Sequence, residues 1–218
     1  MYVRNTVYFS TDYVFAGNVP GHVYTELDDF GPVNLYGKSK VAGEKAVLEE
    51  DERCLVIRTT GVYGPEEQGK NFVYQLCSAL AKQGKMMCAD DNFGTPTYNR
   101  DLASIVVDLL ESNKTGVYHC AGDECLTRYS FAVLVAKTVG LDASQIQKVS
   151  SDVLYTSTVA RHGFAAVRGS HLGLASEKIR MLFPDKKQTR SIKEALRHWN
   201  ANQRGRHVPF INIKHDGE

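Results

Sequence analysis

NLYGKSKVAGEKAVLE, residues 34–49, lies between two short β-type runs, NTVYFS (5–10) and RCLVIR (53–58). That order predicts a strand, a helix over about 35–50 and a second strand, which is the βαβ unit of a parallel sheet. The rhythm continues outward. A helix from Asn71 to about Gln83 is followed by a strand at KMMCA (85–89), a helix from about Arg100 to Ser112 and a strand at GVYHCAG (116–122). In the third helix Leu102, Ile105, Val106, Leu109 and Leu110 recur at helical spacing, with Asp101, Ser104 and Asp108 on other faces. Thr127 reads as the N-cap of a helix carrying Phe131, Leu134 and Val135, and Gly140 as its stop.

Beyond Gly140 the sequence is Ser/Thr-rich and is expected to be strand-poor, with short helices near 175–183, ended by Pro184, and 191–203. This reads as an appended lobe. The last run, GRHVPFINIKHDGE, is expected to trail over the surface, with Val208, Phe210, Ile211 and Ile213 available for an edge strand. No repeat or low-complexity segment interrupts the chain.

Its 218 residues and 43% hydrophobic content suffice for one substantial buried core. Lys plus Arg (26) nearly balance Asp plus Glu (25), which argues against a nucleic-acid or anionic-membrane partner. No apolar run approaches the length of a transmembrane helix and MYVRNTVYFS lacks signal-peptide character, so a cytoplasmic location is expected. The five cysteines form no C-x-x-C pair, so packed thiols are expected rather than disulfides or a metal site.

Tyr36 and Lys40 stand one helical turn apart. In a chain with 11 tyrosines that spacing alone is weak. Upstream, STDYVFAG (10–17) puts Ser10, Thr11 and Asp12 at the carboxyl end of the first strand, where open α/β sheets bind ligands. Together the three residue types make a proton-transfer set. An ammonium beside a phenol favours the phenolate, and a hydroxyl holds the same substrate oxygen, as carbonyl–alcohol interconversion with a nicotinamide requires. The plainer alternatives are a loop-capping Thr11, a packed Tyr36 and a solvated Lys40 paired with Glu44.

The order strand, S-T-D-Y-V-F-x-G, Y-G-K-S-K, strand, R-T-T-x-V-Y-G resembles the extended short-chain dehydrogenase/reductase superfamily, and within it the dTDP-4-dehydrorhamnose reductase family. GKNFVYQL (69–76), DDNFGTPTYNRDLA (90–103) and GVYHCAGDECLTRYSFA (116–132) extend the resemblance, which runs from residue 5 to about 200. It implies an α/β fold: a partial Rossmann-type parallel sheet over residues 1–140, interleaved with substrate-binding segments, and a small mixed substrate-binding lobe over 141–218. It implies reduction of a 4-keto nucleotide sugar with NADPH or NADH. Thr11 then polarises the carbonyl, Tyr36 is the general acid, and Lys40 lowers its pKa and holds the nicotinamide ribose. Arg58 joins Tyr36 and Lys40 on the cofactor, and Asp12, Asn71, Phe72 and Arg168 join Thr11 on the substrate. No metal is implied, and the resemblance leaves room for a homodimer.

Three departures qualify it. The family's R-T-S-W-V-Y appears as Arg58, Thr59, Thr60, Gly61, Val62 and Tyr63, without the tryptophan. Near the C-terminus Gly169 and Ala175 replace a proline and an aspartate, while Arg168, Leu174 and Lys178 fit. The strand and G-x-x-G-x-x-G loop that open such enzymes, roughly their first 80 to 100 residues, are expected to be lacking, with weak or no activity for this chain alone. The alternatives are a non-catalytic regulatory subunit similar to the methionine adenosyltransferase β subunit, or a nucleotide-sugar epimerase or dehydratase.

Overall fold

The computed structural model describes residues 6–82 and 84–201. The chain enters through strand β1 (Val7–Thr11), a short strand β2 (Val23–Tyr24), helix α1 (Leu35–Glu50) and strand β3 (Leu55–Thr59). β1 and β3 pair in parallel from Val7 opposite Leu55 to Thr11 opposite Thr59, so α1 is the crossover of the expected βαβ unit. Only Gly37 and Glu44 of α1 are fully buried, and no broad apolar stripe holds it. Its first turn is fixed by other means. The Asn34 side chain accepts the Gly37 N–H at 2.8 Å, satisfying one of the amides that a helix start leaves unpaired. A Cβ at Gly37 would stand 2.1 Å from the Tyr13 carbonyl oxygen, so glycine is what lets the turn that bears Tyr36 seat against the loop after β1.

Next come α2 (Phe72–Ala81), β4 (Met86–Ala89), β5 (Phe93–Gly94), α3 (Asn99–Glu111) and β6 (Gly116–His119). β6 pairs in parallel with β3, giving the sheet order β1-β3-β6. Leu55, Val56, Ile57 and Arg58 of the central strand are all buried, as both faces of a covered parallel sheet require. On one face the predicted stripe of α3 meets it: Leu102, Ile105, Val106 and Leu109 pack on Leu55 and Ile57. Asp101 does not face water. It is buried, accepts the Arg190 N–H at 2.7 Å and pairs with the Arg190 guanidinium, a partner 89 residues away.

The remainder is more regular than expected. After β7 (Leu126–Thr127) and α4 (Arg128–Thr138) come β8 (Ile146–Val149), α5 (Ser151–His162), β9 (Gly173–Leu174), α6 (Glu177–Leu182) and α7 (Ile192–Ala201). The strand at KMMCA leaves the main sheet: β4 pairs in parallel with β8, from Met86 opposite Ile146 to Ala89 opposite Val149. The stretch after Gly140 is therefore not strand-poor, and α5 is an unforeseen helix. None of its residues is fully buried, so it shows no apolar stripe, and its Thr, Val and Ser content disfavours helix. Its ends carry the signal instead. Ser150 accepts the Val153 N–H, Asp152 lies in the first turn, Arg161 and His162 in the last, and Gly163 closes it at φ 79°.

Thr127 caps α4 as expected, accepting the Ser130 N–H at 3.0 Å. The second core gathers Leu76, Phe131, Val135, Ile146, Leu196 and Trp199, residues from both sides of Gly140. All five cysteines are free thiols and four are buried; burial pushes the Cys77 thiol up to about 12. No described helix is long and apolar enough to cross a membrane. The expected tail after residue 201 and the end of the last predicted helix lie outside the described residues.

Candidate active site

A cleft of about 420 Å³ opens beyond the carboxyl ends of β1 and β3, where the crossover geometry leaves strand ends accessible. Thr11, Asp12, Tyr36, Thr60, Arg128 and Arg168 line it. Thr11 ends β1 and Thr60 follows β3, and both hydroxyls donate to the buried Asp12 carboxylate between them, at 2.8 Å to Oδ1 and 2.5 Å to Oδ2. Burial pushes the Asp12 carboxyl above its usual range, while the Thr60 and Thr11 hydroxyls pull it back.

Tyr36 enters from the first turn of α1. Its ring is half-exposed and edge-on to Tyr13, with centroids 5.8 Å apart. Its hydroxyl has no hydrogen-bond partner among the described residues. Lys40 stands behind it: Nζ donates to the Phe9 carbonyl at 2.9 Å and lies 5.8 Å from the Tyr36 ring centroid. A tether between Lys40 and Glu44 is not what forms. Glu44 is buried under the helix, ion-paired with Arg58 (Nη2 to Oε2 2.7 Å, Nε to Oε1 3.0 Å), and accepts the Ser10 hydroxyl. Arg58 thus lies apart from the cleft, flanked by the rings of Phe15 and Phe30 and by His119, whose Nε2 is 3.4 Å from Nη1. Burial, reinforced by Arg58, holds His119 down at about 3. The neutral ring accepts from Arg58 at Nε2 and donates from Nδ1 to the Tyr24 carbonyl at 3.1 Å, a tautomer assigned from these partners.

Of the residues expected on the substrate side, Thr11, Asp12 and Arg168 share the cleft with Tyr36, whereas Asn71 and Phe72 do not line it. Asn71 caps α2 and donates to the Gly64 carbonyl at 2.9 Å. Phe72 stands one layer back, 5.6 Å from Phe131 and beneath the Arg128 guanidinium at 4.1 Å.

Arg168 belongs to a strap clamped across the loop after β1. Ser170 and His171 donate to the Gly17 carbonyl at 2.9 and 3.0 Å, Asn34 Nδ2 donates to the Val167 carbonyl and Asn92 Nδ2 to the Gly169 carbonyl. A Cβ at Gly169 would lie 2.4 Å from the Ala16 carbonyl oxygen and 2.7 Å from the Gly17 Cα. The bare backbone of Gly169 is therefore what allows the strap to approach so closely.

Arg128 escaped the sequence reading. It is the first residue of α4, where the helix dipole disfavours a cation, and burial lowers its pKa. A locally unfavourable charge next to the N-cap Thr127 was the available signal. Arg128, Arg168 and Asn92 also line a second cavity of about 780 Å³, whose other wall includes Tyr155 and Phe164. Two guanidiniums thus stand where both cavities are lined by the same residues.

A three-stranded parallel sheet with a cleft beyond its strand ends is the architecture of a Rossmann-like α/β protein. The chain belongs to the RmlD substrate binding domain family, whose model matches residues 4–200. It is 32% identical over 185 residues to the dTDP-4-dehydrorhamnose reductase of Aggregatibacter actinomycetemcomitans, covering 81% of this chain and 60% of that protein. Over 153 residues it is 34% identical to methionine adenosyltransferase 2 subunit beta of Rattus norvegicus, covering 66% of this chain and 45% of that protein. It resembles the structure of dTDP-4-dehydrorhamnose reductase from Bacillus anthracis str. Ames in complex with NADP, with a TM-score of 0.77, 28% identity, and coverage of 89% of this chain and 64% of that one. The chain thus spans about 60% or less of the length of these curated relatives.

Proposed function

We propose that this chain carries the substrate-binding and proton-transfer part of an NAD(P)H-dependent reductase acting on a 4-keto nucleotide sugar. The observation that carries the reading is one cleft lined both by Thr11 and Tyr36 and by Arg128 and Arg168. The two guanidiniums receive the diphosphate, the sugar lies over Thr11, and the base enters the second cavity. Thr11 orients the keto oxygen toward Tyr36. Tyr36 donates its proton to that oxygen, and the Lys40 ammonium steadies the negative charge left on the phenol.

A nicotinamide dinucleotide, when bound, supplies the hydride. The residues present suit its reactive end: a phenol with its hydroxyl unengaged, and an ammonium with donors beyond the one spent on Phe9.

The test is incubation with NADPH and dTDP-4-dehydrorhamnose, with products read by mass spectrometry. The reading expects the 4-hydroxy sugar, formed roughly 10²–10⁴ times more slowly by Tyr36→Phe. An epimerised or dehydrated product would move the chain to those chemistries, and an alcohol formed equally fast by Tyr36→Phe would contradict the assignment.

The likeness to a methionine adenosyltransferase β subunit supports a second, regulatory reading. Copurification with the transferase's catalytic chain, without sugar binding, would favour it.

A further inference from the structure

Thr11 cannot do two things with one hydrogen. A threonine hydroxyl has a single O–H and two lone pairs. Here the O–H is spent on Asp12 Oδ1 at 2.8 Å, and one lone pair accepts the Tyr13 N–H at 3.4 Å. Asp12 Oδ2 is occupied by the Thr60 hydroxyl at 2.5 Å. While Asp12 is a carboxylate, Thr11 therefore turns only its remaining lone pair to the cleft. That lone pair accepts from an alcohol, but a ketone oxygen has no hydrogen to give it.

We propose that Asp12 sets the hydrogen-bonding sense of Thr11: as a carboxylate it suits the cleft to the alcohol, and as a carboxylic acid it donates to Thr11 and frees the Thr11 hydrogen for the ketone. The inference rests on the reading that the cleft takes a keto nucleotide sugar and its alcohol. Asp12 is a positioning residue here. Its proton changes only its hydrogen bond, and the proton that reaches the substrate oxygen comes from Tyr36.

The surroundings permit the switch. Asp12 is 7% exposed, which favours the neutral acid, and the Thr60 bond to Oδ2 persists in either form. Against the acid act the Thr60 and Thr11 hydroxyls, the backbone N–H groups of Asp12 and Tyr13, and the Arg128 cation from α4; Arg168, from the strap, lines the same cleft. The other titratable groups lining the cleft are the phenols of Tyr13 and Tyr36. A diphosphate seated on the two arginines offsets their charge and moves Asp12 toward the acid, so the substrate's own anion helps to prepare the site for its ketone.

Above the pH at which Asp12 titrates, ketone binding must then take up a proton while alcohol binding does not. The experiment is calorimetric titration of the 218-residue chain with dTDP-4-dehydrorhamnose and with dTDP-rhamnose, each in buffers of different ionisation enthalpy across a pH series. The expected result is close to one proton taken up with the ketone and none with the alcohol. Ketone affinity should fall by about tenfold per pH unit in that range while alcohol affinity stays flat. Asp12→Asn should abolish the difference in uptake, and so should Thr11→Val, which removes the hydroxyl and leaves the carboxyl in place. Equal uptake by both ligands, or a difference that survives in either folded variant, would overturn the inference while leaving the site assignment intact. If neither sugar nucleotide binds, the site assignment falls and the inference with it.

Discussion

The first turns and the middle of one helix do opposite things. In its first two turns α1 presents Tyr36, half-exposed with its hydroxyl unengaged, and Lys40, which holds a backbone carbonyl. One turn later Glu44 is 1% exposed and committed to Ser10 and Arg58. The spacing 36, 40, 44 is uniform, yet the surroundings pass from an open phenol at the cleft to a buried ion pair because the helix crosses from the cleft edge to the sheet. A charge that is buried must be satisfied, and a group that must react cannot be. The buried Glu44 thus fixes the helix so that the turn bearing Tyr36 can stay open to the cleft.

Breaking the buried end should have the largest effect. Glu44→Ala leaves Arg58 uncompensated beside His119 and should cost about 3–5 kcal/mol in urea unfolding. Acid attacks the same network next. His119 is held at about 3 in the folded chain against an ordinary 6.5, so below pH 6.5 the unfolded chain gains a proton that the folded chain refuses. Stability should be full above that pH and fall by up to about 1.4 kcal/mol per unit down to about pH 3, a slope that His119→Gln should flatten. At the cleft's outer wall, Gly169→Ala forces a Cβ against the Ala16 carbonyl and should cost roughly 1–3 kcal/mol, loosening the strap that carries Arg168. Tyr36→Phe and Lys40→Met, at the exposed end, should each change stability by less than about 0.5 kcal/mol. A large loss in either would mean that this end is structural too.

How far the sequence could be read follows the same division between local and distant partners. The α1 helix, the α3 stripe and the Thr127 cap depend on neighbours within a few residues, and each appears where the pattern put it. What failed depends on distant partners. β4 finds its mate 60 residues on in β8, and Asp101 is neutralised by Arg190. Lys40 and Glu44 look like a helical ion pair until Arg58, delivered by the next strand, claims the glutamate. In the cleft, Thr11, Asp12, Tyr36 and Arg168 were legible from motif order. Arg128 was not, because its place beside the cleft depends on the fold bringing it to the cavity that Arg168, 40 residues away in sequence, also lines.

The central claim is that this cleft holds a nucleotide sugar across Arg128 and Arg168. Calorimetric affinity of the chain for dTDP-4-dehydrorhamnose tests it most directly, with Arg128→Ala and Arg168→Ala measured beside the unmodified chain. Loss of a charge-assisted contact to phosphate predicts about 10- to 100-fold weaker binding for each variant. Affinity unchanged in both variants, or no binding by the unmodified chain, would contradict it.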